Sequence, residues 1–246
     1  MAVFSTFRQM NAFVSLARHH QSAYRFAPYS IKQRSFPIGM SRQRNMSSCV
    51  NPDHTDRTVY LRIPTPEDME EVAALLSVST ESGDVILMGG DLGAGKTCFS
   101  RGFIRARTGF EGRITSPTYL LSNTYRAADD DASKYCDLKI YHMDLYRLNG
   151  TAEELAPLDL DCAFSEGIAL VEWPERLVDI PENRLDITLT IDMNKEDNPA
   201  KAGFIETDED ERSRIMKLVP FGERWTQRLQ FYDSEGYFED LMINNE

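Results

Sequence analysis

The chain has 246 residues, of which 41% are hydrophobic and 27% charged, a composition that is ordinary for a globular protein with one large buried core. No run of about 18 apolar residues occurs, which excludes a membrane-spanning helix, and no membrane partner is expected. The four cysteines form no C-x-x-C pair, which argues against a zinc ribbon, a redox dithiol and a disulfide scaffold.

The formal charge of −12 is unevenly distributed along the chain. Residues 1–52 hold seven basic residues, eight serines and no acidic residue, whereas the remainder holds 20 basic and 39 acidic residues, a formal charge of −19. One apolar helical face is predicted in this leader from Val3, Phe7, Met10, Val14 and Ala17. The pattern predicts an organelle transit peptide, mitochondrial in preference to plastid, with a basic arm for nucleic acid or lipid as the alternative.

Residues 55–246 are expected to form a single α/β domain, because predicted strands and helices alternate along them. Strands are predicted at residues 58–63, 85–88, 119–125, 138–143, 168–171, 185–193 and 213–219. Helices are predicted at residues 66–82, 96–107 and 223–238, with a short one beginning at residue 153. Thr65 is the predicted N-cap of the first helix and Pro66 its first residue. The strict polar alternation of residues 185–193 favours an antiparallel part of the sheet.

A phosphate-binding loop is the strongest chemical signal in the chain. Its residues match G-x-x-x-x-G-K-[ST] between a predicted buried strand and a predicted helix: Gly90, Asp91, Leu92, Gly93, Ala94, Gly95, Lys96 and Thr97. Phosphates need backbone N–H groups that point inward, and glycine permits the tight turn and the close approach. Lys96 is expected to reach the β- and γ-phosphates of a nucleotide, and the Thr97 hydroxyl is expected to bind Mg²⁺.

A phosphate-binding loop of this kind also needs a carboxylate opposite Thr97, at the end of a neighbouring strand. Two residues qualify: Glu172 follows the apolar run at 168–171, and Asp144 ends the predicted strand before it. Either carboxylate is a candidate for the site, and a cap or surface role is the alternative for each.

The sequence alone does not decide the roles of several other polar and aromatic residues. The hydroxyl-rich loop at residues 116–119 either closes over the γ-phosphate or is a simple strand-entry turn. His142 is a candidate base, although a structural role is more common for a lone strand histidine, and Trp173 either stacks on a base or packs. The tetrapeptide N-K-E-D at residues 194–197 matches a guanine signature, but it follows an alternating strand and is interpreted as a chance match in a solvated loop.

Four motifs in a fixed order make the chain resemble the TsaE family of small P-loop ATPases. The motifs occupy residues 90–97, 116–119, 142–148 and 171–174, and the resemblance runs from about residue 59 to Trp225 except near 194–211. The expected fold is a P-loop NTPase three-layer α/β sandwich with a mixed, partly antiparallel sheet. The resemblance implies a Mg²⁺-dependent ATP hydrolase that supports formation of threonylcarbamoyladenosine beside the anticodon of tRNA.

The resemblance also implies roles for individual residues. Thr97 and Glu172 would bind Mg²⁺, Asp144 would be the catalytic carboxylate, and Thr118 would belong to the loop over the γ-phosphate. An arginine just before the last strand would contact phosphate, a place that Arg212 or Arg214 fills. The partner would be a TsaB–TsaD heterodimer, in which TsaD transfers the threonylcarbamoyl group. The charge of −19 agrees with an indirect encounter with tRNA, since it would repel a phosphate backbone.

The chain departs from the family pattern in three places. Cys98 stands where a second threonine is common, Met69 stands where a threonine is usual, and the loop at 194–211 is long. The Met69 change puts one side-chain contact to the nucleotide in doubt. The alternative functions are a small-molecule P-loop kinase, which lacks the usual arginine-rich lid here, and a non-hydrolysing adaptor, which would not need both Glu172 and Asp144.

Overall fold

A mixed β-sheet forms the centre of the part that the structure, a computed structural model, describes: residues 58–127, 138–193 and 212–243. The predicted transit peptide and the N-K-E-D tetrapeptide lie outside the described residues. The strands are β1 (Val59–Ile63), β2 (Asp84–Gly90), β3 (Ser122–Arg126), β4 (Lys139–Asp144), β5 (Ile168–Glu172), β6 (Arg184–Ile191) and β7 (Arg214–Phe221). Their order across the sheet is β1-β7-β6-β2-β5-β4-β3.

The middle of the sheet is parallel and its edges are antiparallel. Strand β2 pairs in parallel with both β5 and β6, and β4 pairs in parallel with β5. The β1–β7, β6–β7 and β3–β4 pairs are antiparallel. The alternating strand β6 therefore lies at the boundary between the parallel and antiparallel parts of the sheet. The predicted antiparallel neighbour is present on its β7 side, whereas its β2 neighbour is parallel. The carboxyl ends of β2, β5 and β4 meet at one edge, where parallel sheets place their ligands.

Helices cover both faces of the sheet. They are α1 (Pro66–Ser77), α2 (Lys96–Thr108), α3 (Ala152–Leu155), α4 (Leu160–Glu166) and α5 (Gly222–Ser234), with short 3-10 helices at Ala156–Leu158 and Pro174–Arg176. Successive residues of a strand point to opposite faces, so Ile86 and Met88 join one core and Val85 and Leu87 the other. The three-layer α/β sandwich with a partly antiparallel sheet is confirmed. No helix within the described ranges is both long and apolar enough to cross a bilayer.

Local sequence explains where the first helix begins. The Thr65 hydroxyl accepts a hydrogen bond from the Asp68 amide at 3.1 Å, and the Asp68 carboxylate accepts one from the Thr65 amide at 3.1 Å. This reciprocal capping, with Pro66 at the first helical position, confirms the predicted start. The helix ends at Ser77, several residues before the predicted end near Gly83, because the chain turns away after Val78.

Two other predicted boundaries were wrong, and one helix was missed. The strand predicted at 119–125 begins only at Ser122, because the Pro117 carbonyl accepts the amides of Leu120 and Leu121 and closes a turn there. The last helix ends at Ser234 instead of 238, shortly before Gly236 takes a φ of 71°. Helix α4 was not predicted, because its seven residues are too few to show a clear helical period.

Candidate functional site

The predicted phosphate-binding loop joins β2 to α2, and its glycines have the backbone that such a loop requires. Gly90, Gly93 and Gly95 have φ values of 116°, 77° and 105°, a region that side chains rarely permit. A Cβ on Gly90 would lie 1.9 Å from the Leu189 carbonyl oxygen of β6. The loop therefore keeps this shape only with glycine at position 90.

Lys96 is almost fully buried at the first residue of α2. Its Nζ donates hydrogen bonds to the carbonyl oxygens of Gly90 at 2.8 Å and Asp91 at 2.7 Å. The same ammonium lies 3.9 Å from the centroid of the Trp173 ring. Burial lowers the pKa of Lys96, and the nearby carboxylates, Glu172 foremost, oppose this shift. The structure thus places the Lys96 ammonium against the backbone of the loop.

Glu172 lies directly beside the loop. It is the last residue of β5, and the register pairs it with Met88 of β2. Its Oε2 accepts a hydrogen bond from the Thr97 hydroxyl at 3.0 Å, and its Oε1 accepts a longer one from Ser100 at 3.4 Å. Sequence reasoning missed Ser100, although its place one helical turn after Lys96 was a signal that it faces the same way.

Asp144 ends the next strand, β4, and is paired in register with Glu172. Its Oδ2 accepts a hydrogen bond from the Thr118 hydroxyl at 2.5 Å and a very short one from Ser116, and its Oδ1 accepts the Tyr146 amide at 3.0 Å. The two carboxylates therefore have different partners. Glu172 contacts the phosphate-binding loop, whereas Asp144 holds the loop that contains Thr118.

The donor set around Thr97 fits a Mg²⁺ ion. A hydroxyl and a carboxylate within hydrogen-bond distance are hard oxygen ligands, and Mg²⁺ usually takes only one or two carboxylates together with phosphate oxygens and water. Within the described ranges no group of three or more His, Cys, Asp or Glu side chains is placed to hold a metal by itself. This set is therefore suited to a metal that arrives with a phosphate ligand.

His142 and Trp173, whose roles the sequence left open, both lie at this site. The fully buried His142 contacts Glu172 Oε1 through Nε2 at 2.8 Å, and because a carboxylate only accepts, this nitrogen donates. Trp173 follows Glu172 with a φ of 64°, and its ring lies 4.8 Å from that of Tyr146. His142 therefore orients Glu172, and Trp173 lies near the position of Lys96.

The remaining sequence candidates lie around the loop. Arg214, the first residue of β7, donates from Nη2 to the Gly93 carbonyl at 3.5 Å, which places it against the loop. Met69 is buried, and its Cε lies 3.2 Å from the position that a Cβ on Gly95 would take, so it packs beneath the loop. Cys98 points to α1, where its Sγ contacts the Pro66 carbonyl at 3.4 Å, and burial raises its pKa to about 11.

Comparisons with known proteins identify the family. The family model described as threonylcarbamoyl adenosine biosynthesis protein TsaE matches residues 63–200. The TsaE protein of Streptomyces coelicolor is 31% identical over 158 residues, which cover 64% of this chain and 93% of that protein. The one from Rickettsia conorii is 34% identical over 63% of this chain and 82% of its own length.

A solved structure, that of Bacillus subtilis YdiB, is 27% identical and covers 72% of this chain and 96% of its own, with a TM-score of 0.49. The TsaE protein of Bacillus subtilis is 35% identical over 130 residues, which cover 52% of this chain and 75% of that protein. The matched segment begins at the end of β1 and contains the loop at 90–97 and both carboxylates. This chain belongs to the TsaE family.

Proposed function

We propose that the protein is a Mg²⁺-dependent ATPase subunit that supports threonylcarbamoyl modification of the adenosine beside the anticodon of tRNA. The observation that carries this proposal is the contact of Thr97 with Glu172 at 3.0 Å, next to the buried Lys96. The relatives are named tRNA threonylcarbamoyladenosine biosynthesis protein TsaE, which supplies the pathway.

In this proposal the loop binds the phosphates of ATP and each contacting side chain has one task. Lys96 and Arg214 neutralise phosphate charge, and the backbone N–H groups of the loop orient the β- and γ-phosphates. Thr97 and Glu172 hold Mg²⁺, which supplies positive charge against the phosphate oxygens. His142 keeps Glu172 in place through its 2.8 Å contact.

Hydrolysis needs an attacking water and a loop that closes over the γ-phosphate. The water oxygen bonds to the γ-phosphorus while the bond to the β–γ bridging oxygen breaks, and the electron pair leaves with ADP. One water proton remains on the phosphate at first and the other passes to solvent. Asp144 holds Thr118 and Ser116 so that their loop lies beside the reacting phosphate.

A TsaB–TsaD-type complex is the proposed protein partner, and tRNA is reached through it. Residues 53–246 carry 20 basic and 39 acidic residues, so the bare domain would repel a tRNA backbone. The proposed role is therefore to use ATP hydrolysis to act on a partner that itself handles the tRNA.

The proposed location is the mitochondrion, with the plastid as the second organelle. The basic, acid-free composition of residues 1–52 supports this proposal. Residues 1–52 fused to a fluorescent reporter are expected to direct it to the organelle, and a chain that starts near residue 55 should hydrolyse ATP like the full chain. A reporter that stays in the cytosol would contradict the location.

The test of the ATPase proposal is the rate of ATP hydrolysis with and without a purified TsaB–TsaD complex. We expect a slow rate alone and a faster rate with the complex, and no activity for Lys96→Ala in either condition. A small-molecule kinase would instead ignore the complex and respond to a small acceptor. Hydrolysis that is unaffected by both the partner and the Lys96 change would refute the proposal.

A further inference from the structure

A cavity of about 420 Å³ lies beside the phosphate-binding loop and contains an unusual concentration of positive charge. Thr97 and Ser116, which contact the two carboxylates of the candidate site, line it together with three arginines: Arg101, Arg105 and Arg113. The cavity is therefore continuous with the place where the γ-phosphate would lie. None of the four sequence motifs predicted these arginines.

The positive charge of the cavity is only partly neutralised. Glu70 of α1 pairs with Arg101 at 3.3 Å and with Arg105 at 3.2 Å, so one carboxylate is shared by two arginines. This arrangement depends on Gly102, because a Cβ there would lie 2.5 Å from the Glu70 Cα and would force the two helices apart. Arg113 has no ion pair with any residue in the described ranges. Three arginines thus line the cavity, and Glu70 is the carboxylate that forms ion pairs with two of them.

The segment that presents Arg113 is held in place at both ends. The Phe110 ring packs against Gly112, where a Cβ would lie 2.3 Å from it, and lies 5.9 Å from the ring of Tyr125. Ile114, the next residue after Arg113, is buried in the core. Arg113 is therefore an exposed cation on a segment whose neighbouring residues are packed against the protein.

Guanidinium groups bind oxyanions in a bidentate manner, and phosphate matches their geometry. We propose that this cavity binds the inorganic phosphate that leaves after ATP hydrolysis, an inference that rests on the proposed function. Glu172 and Asp144 repel a phosphate dianion formed beside Thr97 and Ser116, whereas the three arginines attract it. The volume is large enough for phosphate together with some of its water. The arginine cavity is then the exit site for the product, separate from the loop that keeps ADP.

The first test measures binding of inorganic phosphate to the full chain by calorimetry. The Lys96→Ala background weakens phosphate binding in the loop, so that the arginine cavity dominates the signal. In that background Arg113→Gln is expected to weaken phosphate binding about tenfold, and adding Arg105→Gln should weaken it further, as loss of charge-assisted hydrogen bonds implies. Unchanged binding in both variants would overturn the inference.

Arg126→Gln is the matched control. Arg126 is an exposed arginine at the end of β3 and does not line the cavity. Its replacement by glutamine removes one positive charge, as Arg113→Gln does. Its phosphate affinity should equal that of the background. Equal weakening by Arg113→Gln and Arg126→Gln would show that only net charge matters, and would overturn the site.

The second test uses hydrolysis itself, with Lys96 intact. Phosphate added to the reaction should inhibit the wild type, and Arg113→Gln should need about tenfold more phosphate for the same inhibition. Phosphate binding that depends on Arg113 in a protein without ATPase activity would support a phosphate site in the cavity, but would refute the proposed function and with it the role as an exit site. Active hydrolysis with identical phosphate inhibition in both proteins would refute the cavity alone.

The phosphate groups of a nucleic acid could also bind to three arginines, so a short single-stranded RNA is used as a competitor to distinguish this ligand from inorganic phosphate. The exit-site inference predicts that RNA competes with inorganic phosphate no better than an equal concentration of phosphate groups. RNA that binds far more tightly, and loses that binding in Arg113→Gln but not in Arg126→Gln, would assign the cavity to nucleic acid and overturn the inference.

Discussion

Replacing Glu172 with glutamine tests the proposed metal ligand most directly. The carboxylate accepts hydrogen bonds from Thr97, Ser100 and His142 at 3.0, 3.4 and 2.8 Å, and its side chain is almost completely buried. Glutamine keeps the shape but removes the negative charge and replaces one acceptor oxygen by a donor. Thr97 and His142 then compete for the single remaining oxygen.

The size of the effect follows from those contacts. A hydrogen bond to a charged group contributes about 1.5 to 3 kcal/mol, and each 1.4 kcal/mol is about a factor of ten in affinity. Loss of the charge at a direct Mg²⁺ ligand should therefore raise the Mg²⁺ concentration at half-maximal ATPase rate at least about tenfold. The maximal rate at saturating Mg²⁺ should fall less than the rate at low Mg²⁺.

Two variants serve as controls in the same titration. Asp144→Asn should bind ATP and Mg²⁺ normally but turn over slowly, since Asp144 contacts the Thr118 loop and not Thr97. Ser100→Ala removes only the 3.4 Å contact to Glu172 and should shift the titration little. Identical Mg²⁺ titrations for the wild type and Glu172→Gln, with both proteins folded by circular dichroism, would refute the assignment.

Three further predictions concern the loop and its surroundings. Lys96→Ala should abolish hydrolysis and weaken ATP binding, because loss of such a clamp costs about 3 kcal/mol or more; near-normal turnover would contradict the phosphate-binding role. Gly90→Ala should lower the free energy of unfolding in urea by at least about 1 to 3 kcal/mol, because the added Cβ meets the Leu189 carbonyl and φ is positive; a midpoint equal to wild type would contradict this. With a pKa raised to about 11, Cys98 is a neutral thiol below that pH, so its alkylation by iodoacetamide should be slow at pH 7.5 and accelerate up to about pH 11; fast labelling at neutral pH would contradict the burial.

Features that depend on neighbours in the chain were predictable from the sequence. The start of α1 follows from Thr65, Pro66 and Asp68, which lie within one turn of each other, and the loop at 90–97 follows from its own glycines. The buried strands were predicted because a run of consecutive apolar residues can be recognised without knowing which strands pair with it. The TsaE resemblance rests on the same local motifs, and the match to residues 63–200 confirms it.

The contacts that distinguish the two carboxylates are seen only in the tertiary structure. Reasoning from the residues alone left both Glu172 and Asp144 as candidates, because both end predicted strands, and only the family resemblance implied different roles for them. The order of β2, β5 and β4 in the sheet places Glu172 next to Thr97, 75 residues away, and leaves Asp144 to Ser116 and Thr118. Strand order is set by packing of whole faces, which no short segment encodes.

Distance along the chain also distinguishes the other features that the sequence predicted from those that it missed. Sequence alone identified a phosphate-binding loop, the family and the strands, because each is recognised from motifs or apolar runs of consecutive residues. It did not find the contact of His142 with Glu172, the contact of Arg214 with the Gly93 carbonyl, or the arginine cavity formed by α2 and the segment around Arg113. Those features join residues that are distant along the chain, and they exist only after the sheet and helices have packed.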